Sequence, residues 1–422
     1  MIKLVVICRV FVSEYMINRW RVMAREYPEL DITLLGHRRW ESSEWGKASS
    51  CGMDDLEEER FHYHAVDFRD GWLVENGIVG LEGWLRLNRP DFVYMIGLEM
   101  HPIALQIVNV KRKFLPNMKL ALFTMRGLDF PKFSFLHPRR IGGLIRWSLI
   151  KKGLDAVFCH YPHGRDVIRD QMKFAKPIYM QTQVGVNSEW FKSDPEARRR
   201  VRAKFGVKDD EYLFGTVCRI LYYQKGIGDI ISALPLPEKA KFMFVGNGPD
   251  FERAKQDVAS RGLGKQVIFS GITQLPDPIG RKDGVEYVQD YFNALDCFVL
   301  MSRTSPTYID TYPLVLSQAM ATSLPCIVSS SGGLPYEVDD IGDVVPEKDP
   351  GALQKAMLRR FENQEEGRDQ GRRLCERLQH TFEMRHLNRC FVTVMKDILA
   401  GRFNPDHADQ TRFEFEAQVV ES

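Results

Sequence analysis

Ten short apolar runs recur along this 422-residue chain, and segments long enough to form a helix separate most of them. They occupy residues 3–8, 31–36, 92–97, 119–124, 156–161, 212–217, 241–246, 266–271, 297–302 and 325–330. Strands that are apolar throughout, rather than at alternate positions, are buried on both faces, as in a parallel sheet covered by helices. The pattern therefore predicts an α/β fold with two successive doubly wound sheets.

The boundary between the two sheets is predicted near residues 184–211, because a chain of this length exceeds a single core. A polar stretch there contains Pro195 at the start of a charged helix and Gly206 just after its end. We assign residues 1–188 to an N-terminal domain and 189–382 to a C-terminal domain. Residues 383–422 form a last helix and a polar tail.

Composition limits the class of protein. The net charge of +2 favours neither a nucleic-acid binder nor an acidic tail protein. The eight cysteines include no CxxC pair and no zinc-type spacing with histidine, which predicts a reducing cytoplasm and no metal site. No run of 18 apolar residues occurs, and the N-terminus is typical of a first strand rather than a signal peptide. We expect a cytoplasmic protein that is soluble or lies on a membrane surface.

Two cations follow the strand predicted at 212–217. Arg219 and Lys225 lie in the loop before the next helix. Ligands of doubly wound sheets bind beyond the carboxyl ends of the strands, and an Arg fork with a Lys point charge suits a diphosphate. The alternative is that both are solvated loop cations.

A glycine-containing loop follows the strand predicted at 241–246. Gly246, Asn247 and Gly248 stand there before a helix. Glycines permit a ligand to approach the backbone closely, and the three residues are therefore candidates for donor binding. Many α/β turns need glycine only for their geometry, so this pattern by itself is weak.

An acid and an amide stand eight residues apart in "DTYPLVLSQAMA", namely Asp310 and Gln318. A helix is predicted to begin between them, and free N–H groups at a helix start suit phosphate oxygens. The segment Thr311, Tyr312, Pro313 and Leu314 is therefore a candidate for donor binding, although Pro313 has no N–H of its own. Asp310 would face the ligand from the loop, and Gln318 would lie about two turns into the helix. Alternatively, Gln318 is an ordinary surface residue.

Together these segments resemble the retaining glycosyltransferases of family 4, a GT-B group that uses nucleotide-sugar donors. The resemblance covers roughly residues 180–345 and includes "VGVNSEWF", "CRILYYQKG", "FVGNGPDFERA" and "DTYPLVLSQAMATSLPCIVSSSGGLPYEV". The family carries two glutamates where this chain has Asp310 and Gln318. The shorter acid changes how the sugar would sit, whereas the amide can still bind a ribose diol.

The resemblance implies a role for each matching residue. Arg219 and Lys225 would bind the donor diphosphate and stabilise the leaving nucleotide. Asp310 would contact sugar hydroxyls, Gln318 the ribose, and the region of Gly271 and Ile272 the base. No metal or other cofactor is needed, because the two cations supply positive charge; the nucleotide-diphosphate sugar is a co-substrate.

The resemblance also implies the architecture and the reaction. Two Rossmann-like domains would face a cleft, with the donor on the C-terminal domain, the acceptor on the N-terminal domain, and the last helix crossing back to the first domain. The sugar would be transferred with retention to a glycan or lipid-linked acceptor, in bacterial envelope polysaccharide or lipopolysaccharide synthesis. Two alternatives remain, a GT-B nucleotide-sugar epimerase and a non-catalytic scaffold or glycan-binding partner.

The N-terminal half offers four cleft candidates, each following a predicted strand: Arg9, Glu99, His101 and Arg126. His101 is also suited to capping a helix or lying at the edge of the core. The alternative for Arg126 is an ion pair with Asp129 instead of contact with an anionic donor or acceptor group. The interpretation as acceptor-side residues rests on their position at strand ends.

A basic segment lies at residues 132–152. No acid occurs from 130 to 154, and Ile141, Leu144, Ile145 and Leu149 share one helical face, with Trp147 at its side. This arrangement favours an anionic membrane surface on the inner face of the cytoplasmic membrane. A packed helix with a solvated basic face is the alternative.

Overall fold

A computed structural model describes residues 1–8, 14–38, 40–42, 49–51, 53–68, 77–125, 138–271, 273–274 and 285–413. The strands in these ranges are β1 (Ile2–Cys8), β2 (Leu30–His37), β3 (Trp40–Ser42), β4 (Ser49–Cys51), β5 (Leu56–Glu57), β6 (Phe61–Val66), β7 (Phe92–Ile96), β8 (Lys119–Phe123), β9 (Ala156–Cys159), β10 (Ile178–Met180), β11 (Tyr212–Val217), β12 (Ala240–Val245), β13 (Val267–Gly271), β14 (Cys297–Leu300), β15 (Cys326–Ser329) and β16 (Asp343–Val345).

The α-helices of the same ranges cover both faces of the sheets. They are α1 (Glu14–Glu26), α2 (Leu81–Asn88), α3 (Pro102–Phe114), α4 (Pro138–Gly153), α5 (Pro162–Asp166), α6 (Pro195–Lys204), α7 (Ile227–Ser232), α8 (Phe251–Ser260), α9 (Val288–Ala294), α10 (Leu314–Ala321), α11 (Leu334–Val338), α12 (Pro350–Glu362), α13 (Gln364–Thr381) and α14 (Met384–Leu399).

The N-terminal sheet has the strand order β10-β9-β8-β7-β1-β2-β6-β5. Its neighbouring strands are parallel except for the short β5, which runs antiparallel to β6 at the edge. The order reverses between β1 and β7, so the loops after these two strands flank the crevice where doubly wound sheets bind ligands. Glu99 and His101 lie in the loop after β7.

The C-terminal sheet has the order β13-β12-β11-β14-β15-β16, and all its strands are parallel. β11 is buried along its whole length, as continuous apolar strands require. The order reverses between β11 and β14, and the loops after these strands carry Lys225 and Asp310. The predicted pair of doubly wound sheets is therefore confirmed.

The chain crosses between the two domains twice, and the crossings lie side by side. Val186 pairs with Glu383 in a parallel bridge, and the Val186 amide donates to the Phe382 carbonyl (3.1 Å). Arg19 of α1 holds both crossings. Its guanidinium donates to the carbonyls of Thr182 and Gln183 on one crossing, and to the Asn388 side chain (2.9 Å) on α14.

The last helix returns to the first domain, as predicted. Phe391 of α14 is buried against Trp20 of α1 and Tyr94 of β7, with ring centroids 5.5 and 4.9 Å away. Truncating a buried phenylalanine costs about 3–5 kcal/mol, so this contact contributes substantially to joining the tail of the chain to the N-terminal core.

The basic helix α4 differs in part from its prediction. Leu144, Ile145 and Leu149 are exposed, but Trp147 is buried and its indole N–H donates to the Met172 carbonyl (2.8 Å). Trp147 therefore belongs to the core, because its position on the helix turns it towards the sheet rather than beside the exposed stripe. Among the described residues, every helix is too short or too polar to span a bilayer.

Candidate functional site

The two residues at the reversal point of the C-terminal sheet form an ion pair. Lys225 Nζ lies 2.6 Å from Asp310 Oδ2, although 85 positions separate them. Each follows a strand that ends at this edge, Lys225 after β11 and Asp310 after β14. The edge therefore places a fixed positive charge where a ligand of this sheet would bind.

Asp310 receives two further hydrogen bonds. Ser302 donates to the same oxygen, Oδ2, and the Tyr308 hydroxyl donates to Oδ1 (2.6 Å). The Tyr308 ring also faces Lys225, with Nζ 5.6 Å from the ring centroid, a cation–π distance. Asp310 is thus part of a network that holds Lys225, and its contact with sugar hydroxyls stays a prediction.

Lys225 keeps its charge in this setting. Burial alone would lower its pKa, but the Asp310 carboxylate and Tyr308 outweigh that effect and raise the pKa above the ordinary value of lysine. The same burial raises the pKa of the Tyr308 hydroxyl. The site therefore presents an ammonium rather than an amine at neutral pH.

Gly226 fixes the backbone beside Lys225. Its φ is +60°, in the left-handed region that glycine tolerates. A Cβ at this position would lie 2.0 Å from the Met301 carbonyl oxygen, at the end of β14. The turn after Lys225 can therefore dock on the neighbouring loop only because residue 226 lacks a side chain.

The Gly246–Gly248 loop has a comparable reason for its glycines. A Cβ at Gly246 would lie 2.1 Å from the Cys218 carbonyl oxygen, and one at Gly248 would lie 2.4 Å from that of Ile220. The Ile220 amide donates to the Asn247 carbonyl (3.0 Å). The loop thus supports the backbone on both sides of the half-buried Arg219, so its glycines meet a geometric need; donor contact by Asn247 and its neighbours stays a prediction.

The start of α10 packs on a second pair of glycines. Cβ atoms at Gly332 and Gly333 would lie 2.0 Å from the carbonyl oxygens of Asp310 and Thr311, respectively. The Gly333 amide donates to the Asp310 carbonyl (2.9 Å). Close backbone approach therefore sets the position of Asp310 and the Thr311–Leu314 segment; α10 itself begins at Leu314.

Tyr312 turns away from this loop towards the junction between the domains. Its ring stacks on His160, which follows β9 of the N-terminal sheet, with centroids 5.2 Å apart. Burial lowers the pKa of His160 to about 3, so the imidazole is neutral. Only the backbone of Tyr312 remains a candidate for phosphate binding.

Gln318 also lies at the junction. It is 3% exposed, so it is not the surface residue of the alternative interpretation. Its Nε2 donates to the hydroxyl of Tyr15 at the start of α1 (2.9 Å), and Tyr15 packs on Trp190 with ring centroids 5.9 Å apart. Burial raises the pKa of Tyr15 to about 12. The amide that is predicted to bind the ribose therefore already donates a hydrogen bond to a side chain of the N-terminal domain, Tyr15.

A buried acid lies directly behind α10. Glu337 is 1% exposed, and the Ser317 hydroxyl donates to its Oε2 (3.0 Å). Burial raises the pKa of Glu337 well above its ordinary range, more than the Ser317 hydrogen bond lowers it. The Tyr312 hydroxyl lies 2.9 Å from Ser317 Oγ, so this buried group is linked to the segment before α10.

The N-terminal candidates have separate outcomes. His101 caps α3, its Nδ1 accepting from the Ile103 amide (3.2 Å), which is the alternative interpretation of that residue. Glu99 is half-buried beside it at the end of β7, and its acceptor role stays a prediction. Arg9, Arg126 and Ile272 lie outside the described residues.

Sequence reasoning missed several residues of the site. They are Ser302 and Tyr308, which donate to Asp310; Tyr15, which accepts from Gln318; His160, whose ring stacks on Tyr312; and Gly332 and Gly333, which lie under the start of α10. The two glycines followed a predicted strand and were visible as a candidate turn. Ser302 and Tyr308 are close to Asp310 in sequence, but no local pattern marks them as its partners. Tyr15 and His160 come from distant segments. Among the described residues, no group of three His, Cys, Asp or Glu side chains is arranged to hold a metal ion.

Comparison with known sequences identifies the C-terminal domain. Residues 197–374 match the family described as glycosyl transferases group 1. A GDP-mannose-dependent alpha-(1-6)-phosphatidylinositol monomannoside mannosyltransferase of Mycolicibacterium smegmatis is 30% identical over 41% of this chain and 44% of its own length. A putative teichuronic acid biosynthesis glycosyltransferase of Bacillus subtilis is 30% identical over 36% of this chain. The chain thus matches less than half the length of these curated relatives, 44% and 33%.

Comparison with solved structures concerns the fold. Sucrose-phosphate synthase from Thermosynechococcus elongatus superposes with a TM-score of 0.71 over 95% of this chain and 100% of its own, at 17% identity. WaaG, a glycosyltransferase involved in lipopolysaccharide biosynthesis, gives a TM-score of 0.62 over 95% of this chain and 100% of its own, at 14% identity. Residues 197–374 therefore belong to glycosyl transferases group 1, and the whole chain has the GT-B glycosyltransferase fold.

Proposed function

We propose that this protein is a retaining glycosyltransferase of the family 4 type, which moves a sugar from a nucleotide-diphosphate donor to a glycan or lipid-linked acceptor. The observation that carries the proposal is the buried ammonium of Lys225, held by Asp310 at the reversal point of the C-terminal sheet. A diphosphate placed there would meet Lys225, the loop of Arg219 and the backbone at the start of α10.

The chemical contribution of the two cations is stabilisation of the leaving group. When the bond between the sugar C1 and the phosphate oxygen breaks, negative charge develops on the diphosphate. A preorganised charge in a partly dry site typically lowers such a barrier by about 3–4 kcal/mol. Lys225 requires little reorganisation, because the Asp310 network already fixes it.

Retention requires the new bond to form on the face from which the phosphate leaves. Both oxygens of Asp310 already accept hydrogen bonds, from Ser302, Tyr308 and Lys225, so this carboxylate is poorly placed to attack C1. We infer that the acceptor hydroxyl attacks directly and that its proton passes to the departing phosphate oxygen. The protein then contributes position and charge rather than a nucleophile.

The ribose contact needs a rearrangement. Gln318 Nε2 is engaged by Tyr15, and the residue is buried. We propose that donor binding separates this pair and that the amide then binds the ribose hydroxyls. The contact joins the two domains, so the step is a small opening of the cleft.

Two observations favour an acceptor that is located at a membrane. The named substrates of one relative include a phosphatidylinositol mannoside. In this chain, exposed Leu144, Ile145 and Leu149 lie on the acid-free helix α4. We propose an acceptor in envelope polysaccharide or lipopolysaccharide synthesis, reached from the inner face of the cytoplasmic membrane through residues 132–152.

A thermal-shift and calorimetric screen tests the donor site. UDP, GDP, CMP, ADP and TDP are compared on the wild type, on Lys225→Ala and on the exposed control Lys265→Ala. A ligand at about 100 times its Kd stabilises a protein by about 2.7 kcal/mol. One nucleoside diphosphate should stabilise the wild type and the control but not Lys225→Ala.

The same screen separates the rival functions. If no nucleotide stabilises the wild type, the transferase proposal is wrong and a scaffold role takes its place. If a nucleotide binds, the matching nucleotide sugar is incubated without acceptor. Conversion of its sugar into an epimer identifies an epimerase, whereas transfer that depends on an acceptor supports the proposal.

A further inference from the structure

A cavity of about 570 Å³ lies on the outer side of the N-terminal domain, between the C-terminal halves of α3 and α4. Its walls include Leu105, Val108 and Leu149, and its lining residues contain four cations and no acid, the cations being Lys111, Arg112, Lys152 and Lys176. It is separate from the site at Lys225, which lies on the other domain.

Two of the four cations are used to build the cavity. Lys111 donates to the Gly153 carbonyl (3.0 Å) and pairs with Asp155. Lys176 donates to the carbonyls of Lys152 and Leu154. These bonds satisfy the carbonyls at the end of α4 and neutralise the negative end of its dipole.

The other two cations are available to a ligand. Arg112 and Lys152 are exposed, and among the residues that the structure describes neither side chain has a hydrogen bond or an acidic partner. Gly153 permits α4 to approach α3, since a Cβ there would lie 2.6 Å from a Val108 methyl group. The cavity therefore combines apolar walls with two exposed cations that have no partner among the described residues.

The cavity is continuous with the exposed apolar stripe of α4. Leu149 is 43% exposed and belongs both to the stripe, with Leu144 and Ile145, and to the cavity wall. At the other end of the stripe, Arg146 Nε donates to the Met100 carbonyl (2.9 Å), in the loop after β7. The stripe thus runs from the cleft-side edge of the sheet to the cavity.

We propose that this cavity binds the phosphate headgroup of an anionic phospholipid, with the first part of an acyl chain against its apolar walls. The proposal rests on the membrane location proposed above and names the lipid class that the surface recognises. Arg112 and Lys152 bind the phosphate, while Leu144, Ile145 and Leu149 enter the interface. α4 then lies along the membrane, and the cleft opens at its edge.

Vesicle co-sedimentation of the full chain tests the headgroup site. Vesicles of phosphatidylcholine are compared with an equal mixture of phosphatidylcholine and phosphatidylglycerol. Each basic residue near an anionic surface contributes about 1 kcal/mol, so Arg112→Glu with Lys152→Glu should weaken binding to the anionic vesicles at least ~30-fold. The matched control, Lys208→Glu with Lys265→Glu, makes the same charge change on exposed sites of the C-terminal domain. It should bind the anionic vesicles much more tightly than the variant with Arg112→Glu and Lys152→Glu.

A second variant distinguishes a cavity from a charged surface. Asn109→Trp fills the cavity from its lining and leaves every charge in place. It should lose most of the preference for phosphatidylglycerol. Full binding by Asn109→Trp, or equal losses in the two charge-reversal pairs, would overturn the headgroup site.

Two controls identify the cause of a failure. Stabilisation of the wild type by inorganic phosphate, lost in Arg112→Glu with Lys152→Glu and without any vesicle binding, would replace the lipid with free phosphate and overturn the proposal. The nucleotide-dependent melting shift, measured on the same variants, should be unchanged. A chain that binds anionic vesicles but no nucleotide keeps the headgroup site and loses the proposed transferase.

Discussion

Substitutions of Lys225 and Asp310, singly and together, should affect stability and catalysis differently. We consider Lys225→Met, which removes the ammonium and keeps most of the stem, Asp310→Asn, which removes the carboxylate charge, and the double variant. The two side chains are 13% and 12% exposed, so each charge depends on the other for compensation.

The expected stability losses follow from what each variant leaves behind. Removing one partner of a buried ion pair costs about 3–5 kcal/mol. Lys225→Met should cost less, about 2 kcal/mol, because Ser302 and Tyr308 still donate to Asp310. Asp310→Asn should cost about 3 kcal/mol, because the ammonium retains the Tyr308 ring and loses its counter-charge. The double variant should cost only about 2–3 kcal/mol, a coupling of about 2–3 kcal/mol.

Activity should not recover with stability. Lys225→Met and the double variant both lack the charge at the leaving phosphate, so kcat should fall about 10²–10³-fold in each. Asp310→Asn keeps the ammonium in a looser position and should lose less. Denaturant unfolding and transfer kinetics, with the donor found in the nucleotide screen, measure the two effects on the same preparations.

The pH dependence adds a check with a definite sign. A raised lysine pKa contributes stability that is fully present below about pH 10.5, the unfolded value, and is lost as pH rises through the folded value. The stability difference between wild type and Lys225→Met should therefore be constant from neutral pH to about 10. Additive losses in the double variant, or recovery of its transfer activity, would refute this account.

Three further predictions concern the neighbouring contacts. Glu337→Gln should raise the melting temperature relative to wild type at neutral pH and have little effect below about pH 4.5, because the raised pKa makes burial of this acid more costly as pH increases. Gly332→Ala should cost at least about 3 kcal/mol in urea unfolding, whereas Gly262→Ala, which has a similar φ and open space around it, should cost about 1–2 kcal/mol. Tyr15→Phe should tighten nucleotide binding by up to about tenfold in calorimetry, because Gln318 no longer has to release a hydroxyl; unchanged affinity would show that Gln318 does not bind the ribose.

The sequence predicted the fold well because its strands are apolar throughout. The strands it did not reveal have physical reasons. β6 alternates between buried and partly exposed residues, as expected next to an edge, and β3, β4, β5, β10 and β16 have only two or three residues each. Continuous burial, the feature used for prediction, is absent from the first and too short to recognise in the others.

The sequence predicted where the residues of the candidate site lie, but not which side chains they contact. Lys225 was placed in the loop after a strand and Asp310 in the loop before a helix, and these loops follow strands that are neighbours in the sheet. Their pairing, the capture of Gln318 by Tyr15 and the inward turn of Trp147 depend on contacts between distant segments. Local pattern determines which edge a side chain reaches, whereas packing determines which partner it meets there.

Arg19 has a consequence for how the two halves of the protein can move. Its guanidinium binds carbonyls and an amide on both crossings, and burial lowers its pKa to about 10, which still leaves it charged. Because one planar group holds the two connecting segments together, they cannot slide past each other without breaking several of its bonds. A rotation of the halves about an axis through this residue would preserve these bonds. Contacts far from the axis change most during such a rotation, and those at Arg19 change least.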